Sequence, residues 1–154
     1  MHVIVSNSQK DIRISSKAIT KAIEALAAFK RVKCQEIAIH LVTKRKITQL
    51  HDQFFQDPTP TDCISFPLDN PQDDSETSIL GEIFVCPRVA IEYAEKNGLD
   101  PRRELFLYLV HGFLHLLGYD DLDPASRRTM RRQEALCMAH LGTMIDERKK
   151  ENRA

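Results

Sequence analysis

The sequence has no tryptophan and only 10 aromatic residues of the Phe and Tyr types, seven Phe and three Tyr, so its core must be built mainly from aliphatic side chains. Glycine and proline are scarce, five and seven in 154 residues, which excludes a collagen-like repeat and a low-complexity linker. The four cysteines, Cys34, Cys63, Cys86 and Cys137, stand singly with no C-x-x-C pair, so a disulfide-built scaffold is not expected and free thiols in a reducing compartment fit best. Cys63 is expected to act as a small apolar group rather than a catalytic thiol. Apolar runs such as Leu105 to Val110 fall far short of the ~20 residues that span a bilayer. Nothing in Met1 to Asn7 resembles an export signal, and the reading is a cytoplasmic protein without membrane contact.

Net charge is also absent, but the zero conceals segregation. Residues 1–50 carry ten Lys/Arg against three Asp/Glu (+7), residues 51–100 two against eleven (−9), and residues 101–154 ten against eight (+2). Such a distribution permits a polyanion to be steered onto one face, although solvated helix faces of differing sign give the same count.

What is present is regular periodicity. Val3-Ile4-Val5 reads as a strand, and Ser15-Ser16 followed by Ala18, Ile19, Ala22, Ile23, Leu26 and Phe29 as a capped amphipathic helix. Glu36 to Val42 alternates as a strand, and Thr43 to Phe55 carries Ile47, Leu50 and Phe54 at helical spacing. His40 and His51 read as ordinary surface or boundary residues. Pro58 and Pro60 stop the helix, Cys63 to Phe66 resumes as a strand, Asp69 to Ser78 is expected to be a mobile loop, and Ile79 to Cys86 is the next strand. Helices are expected from Arg88 to Lys96, Pro101 to Leu117 and Pro124 to about Arg148, with Pro101 and Pro124 in first turns. The pattern predicts one α+β (mixed α/β) domain over residues 1–154: a small, about four-stranded mixed sheet packed with about five helices.

The segment His111-Gly112-Phe113-Leu114-His115-Leu116-Leu117-Gly118-Tyr119-Asp120-Asp121 carries the chemistry. Residues four apart share a helix face, so the two imidazoles either pack in the core or converge on one divalent ion. Gly118 lies where the apolar pattern ends and suits the left-handed turn that would carry Asp121 back to the same ion, placing the site at the end of a core helix. His111, His115 and Asp121 then fill three positions and leave one open for water or substrate, as catalytic rather than structural ions require. Asp120 and Asp123 compete for the third place. In H-E-x-x-H peptidases a glutamate follows the first histidine; here that position is Gly112, which leaves peptide hydrolysis the least supported chemistry.

This stretch resembles the signature of the YbeY family, bacterial metal-dependent endoribonucleases of ribosomal RNA maturation. Thr61-Asp62-Cys63-Ile64-Ser65-Phe66-Pro67 is similar to the family's T-D-V-L-S-F-P strand, Leu80-Gly81-Glu82-Ile83 resembles its G-D-I strand, and Glu104-Leu105 stands at the family's distance before the histidines. The resemblance implies His111 and His115 as ligands of one divalent ion, most often zinc, with single-stranded RNA and ribosomal RNA as partners and small-subunit ribosomal proteins as possible ones.

The chain departs from that pattern twice. The family's third histidine is Asp121 here, an acceptable zinc ligand whose charge lowers the ion's Lewis acidity and suits harder ions such as manganese. The arginine associated with RNA cleavage falls at Phe55, and a phenyl ring cannot imitate a bidentate guanidinium. Arg127, Arg128, Arg131 and Arg132 are the nearest substitutes in sequence, and Lys44, Arg45 and Lys46 form a second basic patch; solvated helix faces give the same pattern. Asp120 is the ionisable residue closest to the ligands and is expected to act as general acid–base, with Asp62 and Glu82 either sharing that work or serving as structural hydrogen-bonding groups. The function expected is a single-strand-specific endoribonuclease in small-subunit ribosomal RNA maturation and ribosome quality control. The alternative is a weakened or inactive ribosome-associated protein with a structural metal.

Overall fold

The computed structural model describes residues 1–146, in which a four-stranded mixed sheet is packed with five α-helices. Strand β1 (His2–Asn7) leads through helix α1 (Ser16–Phe29) to β2 (Glu36–Leu41), and α2 (Lys44–Phe55) leads to β3 (Cys63–Pro67). After β4 (Ile79–Val85) come α3 (Pro87–Asn97), α4 (Pro101–Leu116) and α5 (Pro124–Leu141), then a 3₁₀ turn, Gly142–Asp146. The sheet order is β1-β2-β4-β3, with β1 and β2 parallel, β2 and β4 parallel, and β3 antiparallel to β4. The expected α+β class is therefore the observed one, and β3 is an edge strand.

Local chemistry explains the boundaries. Ser15 and Thr43 accept from the third backbone N–H of α1 and α2, as N-caps do, and Asp100 and Asp123 cap α4 and α5 ahead of prolines in the first turn. Alternation in β2 buries Ile37, Ile39 and Leu41 on the face covered by α1 and α4. That face forms the main core, with Ile19, Ile23, Leu26, Ile83, Phe106 and Phe113 fully buried. Helix α4 is buried nearly all round, which removes the amphipathic stripe that surface helices show and makes it the central helix. A smaller cluster of Val42, Ile47, Leu50, Ile64 and Cys86 lies separately where α2 and β3 meet.

Two expectations need correction. Helix α5 stops at Leu141 rather than near Arg148, because Gly142 turns to φ 48° and the chain tightens into the 3₁₀ turn that buries Ile145; Arg148 itself lies outside the described residues. Residues 69–78 are irregular as expected, but the segment is tied down. Asp69 Oδ2 accepts from Ile79 N at 2.7 Å, Pro71 O from Lys33 N at 2.8 Å, and Ser78 O from Gln35 N at 3.2 Å. No helix of the described residues is long and apolar enough to cross a membrane.

Candidate metal centre

His111 and His115 sit in the last two turns of α4. The helix ends in a Schellman motif: Tyr119 N donates to Leu114 O at 3.1 Å and Gly118 N to His115 O at 3.0 Å, with Gly118 at φ 98°. A side chain at that φ is strained, so glycine is what lets the chain reverse and bring residue 121 back over the histidines. Asp123 then starts α5 by accepting from Ser126 N at 2.8 Å, which fixes the far side of the turn.

The three expected ligands converge. His111 Nε2 and His115 Nε2 are 3.0 Å apart, and Asp121 Oδ2 lies 3.6 Å from the first and 3.8 Å from the second. Ligand atoms ~2.0–2.1 Å from a tetrahedral ion stand roughly 3.3 Å from one another, so these separations bracket what one ion demands. They are the one such His/Cys/Asp/Glu group among the described residues. The nitrogen and oxygen donors fit zinc or manganese, and all three residues are only half-buried, so one side of the site stays open.

Sequence reasoning missed Glu134. It projects from α5, is buried, and sets Oε1 3.5 Å from His111 Nδ1 on the side of the ring away from the metal position. Arg131 Nη1 donates to both its oxygens at 2.5 and 2.9 Å. A carboxylate behind a ligating histidine fixes its tautomer and ring orientation. Electrostatics follows this geometry. Burial opposes charge on His111, but the hydrogen bond and charge of Glu134 outweigh it and hold the imidazole above its usual range. His115 is pushed below its usual range by burial and then by His111. Burial likewise works against ionised Glu134, yet His111 and Arg131 together hold its carboxyl below the usual range. The only sequence signal for Glu134 was a charge placed among α5 positions that turn inward beside Met130, Cys137 and Met138.

Gly112 faces the sheet. A Cβ there would meet Ile83 Cγ2 at 2.8 Å and Ser65 Oγ at 3.1 Å, and Ser65 Oγ donates to Gly112 O at 2.9 Å. This close approach presses the histidine helix onto β3 and β4, and a peptidase glutamate has no room at position 112.

The other expected residues are placed as follows. Asp120 is exposed, with Oδ1 accepting from Leu122 N at 3.2 Å, and it lies outside the converged group. Asp123 is spent as the α5 cap. Asp62 Oδ1 accepts from Cys63 N at 2.7 Å, and Glu82 faces His40 Nε2 at 3.1 Å. Arg127 Nη1 stands 3.5 Å from Asp121 O, at the rim of the site, whereas Arg131 is held by Glu134 and Lys44 by Glu92 at 2.8 Å. Arg128 and Arg132 are exposed on α5.

A cleft of about 350 Å³ runs from His115 along the β3 edge, past Cys63, Ser65 and Pro67, to His51 and Phe55 on α2. His51 is half-buried, the boundary residue expected, and forms part of the cleft wall. Cys63 is half-buried, and burial pushes its thiol well above the ordinary value, so it stays the packing group expected of it.

The chain has relatives in sequence and in fold. A family profile described as Endoribonuclease YbeY matches residues 4–142. Endoribonuclease YbeY of Protochlamydia amoebophila (strain UWE25) is 46% identical over 136 residues, covering 88% of this chain and 90% of that protein. Its counterpart in Chlamydia felis (strain Fe/C-56) is 36% identical over 141 residues, covering 88% and 89%. The solution structure of TM1509 from Thermotoga maritima superposes with a TM-score of 0.63 at 24% identity, over 97% of this chain and 93% of that one, a likeness of fold.

Proposed function

The chain belongs to the YbeY family of endoribonucleases, and from that premise we propose that it is a metal-dependent enzyme that cuts single-stranded RNA during maturation of small-subunit ribosomal RNA and ribosome quality control. Membership makes it an RNA-cleaving hydrolase; what carries the metal-dependent reading is the convergence of His111 Nε2, His115 Nε2 and Asp121 Oδ2 on one point at a helix end. These three would hold one divalent ion, zinc in this reading. When bound, such an ion supplies Lewis acidity to a phosphoryl oxygen and lowers the pKa of a coordinated nucleophile.

The protein's own groups do the rest. Glu134 keeps the His111 ring turned so that Nε2 points outward. Asp120, exposed on the same turn as Asp121, is the proposed general acid–base, placed to take a proton and return it to water. Arg127, at the rim beside Asp121, is the cation that would meet a phosphate. Ribosomal RNA, with small-subunit proteins around it, is the proposed partner, encountered in the cytoplasm.

The test is cleavage of a single-stranded oligoribonucleotide by the purified protein, before and after chelation, and by His115→Ala with its circular dichroism unchanged. Loss of cleavage in both cases is the expected result; activity that survives thorough metal removal overturns the reading. Phe55, standing where the family's arginine is expected, favours one second reading: a ribosome-associated protein whose ion is structural. In that case the intact protein turns over no RNA, while His111→Ala still lowers its melting temperature.

A further inference from the structure

Phe55 stands in the last turn of α2 with 53% of its surface exposed, its ring 5.9 Å from that of His51, one helical turn before it. The neighbouring Phe54 goes elsewhere, packing edge-on against Phe66 at 5.0 Å. His51 Nδ1 lies 2.7 Å from Thr59 O, and Gln56 ends the helix in the left-handed conformation, so the wall that carries Phe55 is anchored rather than loose. Across the cleft is the β3 edge.

The register defines what that edge offers. Cys86 N donates to Asp62 O, and Leu68 N to Leu80 O, which makes 62, 64, 66 and 68 the residues that bond across to β4. In an antiparallel ladder the alternate residues direct their N–H and C=O away from the partner. Cys63 and Ser65 therefore aim backbone groups off the sheet edge into the cleft, while Pro67 offers only a carbonyl. Among the described residues lining the cleft there is no Lys or Arg. An aromatic face, a short row of amide donors and acceptors, and no cation suit a flat heteroaromatic ring better than a phosphate.

We propose that this cleft is a nucleobase subsite, in which the base adjoining the phosphate at His111, His115 and Asp121 stacks on Phe55 and is bonded along its edge by the Cys63 and Ser65 backbone. The inference rests on the RNA-cleaving reading and deepens it. A volume of about 350 Å³ lies at the small end of ligand sites and admits a single unstacked nucleoside. A base inside a duplex cannot turn its face to such a wall, so the subsite also supplies a physical reason for acting on single strands.

The experiment measures binding and cleavage of a single-stranded oligoribonucleotide carrying one 2-aminopurine, whose fluorescence is quenched by stacking, at times shorter than turnover. Phe55→Ala should weaken binding roughly 5- to 150-fold, raise KM more than it lowers kcat, and remove the quench, while Phe55→Trp preserves all three. Replacing the base by an abasic site should cost the unaltered protein more than Phe55→Ala does, since it also removes the backbone hydrogen bonds, and should cost Phe55→Ala clearly less than it costs the unaltered protein. Equal affinity and quench for Phe55→Ala, or equal affinity for abasic RNA, overturns the subsite. Cleavage with base-independent binding sinks this proposal alone; Phe55-dependent binding without any cleavage sinks the endoribonuclease reading alone; no RNA binding sinks both.

Discussion

Glu134 and Asp121 show how single carboxylates set the character of the site. Glu134 is fully committed, with His111 on one side and Arg131 on the other, so its loss leaves the imidazole free to rotate and to choose the wrong tautomer. Glu134→Gln is expected to lower zinc affinity about 10- to 100-fold, measured by competition with a chromogenic chelator; unchanged affinity would mean that helix packing alone orients His111. Asp121 acts from the opposite side, adding negative charge where a third imidazole would be neutral. Asp121→His should therefore raise the preference for zinc over manganese in a metal-loading competition, because imidazole suits zinc and carboxylate suits the harder ion. Glu104 offers a residue-scale test of burial. It lies buried in the first turn of α4, and desolvation raises its carboxyl above the usual range. A raised folded-state value means stability that is fully present below the unfolded pKa of ~4.3 and lost as pH climbs through the folded value. Glu104→Gln should hence raise the melting temperature at pH 7 and leave it unchanged at pH 3; a gain of equal size at both would assign the effect to packing instead.

At the scale of elements, the histidine helix depends on what lies under it. Gly112 lets α4 touch β3 and β4, and the missing side chain is as necessary to the site as the two imidazoles flanking it. Gly112→Ala should cost about 1–3 kcal/mol by overpacking and, by lifting the helix from Ile83 and Ser65, weaken metal binding as well. Chemical denaturation and chelator competition read the two losses separately; an alanine variant as stable as the parent would show that the sheet yields. Gly112 also illustrates what could be read in advance. Its mismatch with H-E-x-x-H was visible in the chain, but its reason was not, because Ile83 and Ser65 belong to strands far away in sequence. The same division holds elsewhere. Helices α1 and α2 carry their caps and apolar spacing in their own residues, and Gly118 announces the turn that delivers Asp121. Glu134 and Arg131 look like any i, i+3 pair on a polar helix until α5 is laid against α4. The end of α5 misled for a related reason: helical periodicity runs on past Leu141, while Gly142 takes a positive φ and Ile145 turns into the core.

Over the whole molecule the charge segregation permits a polyanion to be steered onto one face, and solvated helix faces of differing sign give the same count. Of the basic residues in the first fifty, Lys44 meets Glu92 at 2.8 Å and Lys30 reaches Gln133 and the Tyr119 ring; outside that segment Arg88 meets Asp11 at 2.5 Å and Arg131 meets Glu134 at 2.5 Å. No Lys or Arg is among the described residues that line the cleft, and Arg127 stands beside Asp121 at the rim of the histidine group. A protein that grips RNA through one base and few phosphates should show weak dependence on salt, since single strands lose ~0.7 in the slope of log K against log salt for each phosphate neutralised. With three phosphates or fewer engaged, the slope should be about −2 or shallower. Arg127→Ala should reduce it by about 0.7 and weaken binding evenly across RNA sequences, in contrast to Phe55→Ala, whose effect follows the base presented. Fluorescence anisotropy over a range of potassium chloride concentrations measures both quantities. A slope near −5 would mean that the basic surface of residues 1–50 binds RNA after all, and that selectivity arises from shape and charge over a long track rather than from the cleft beside His115.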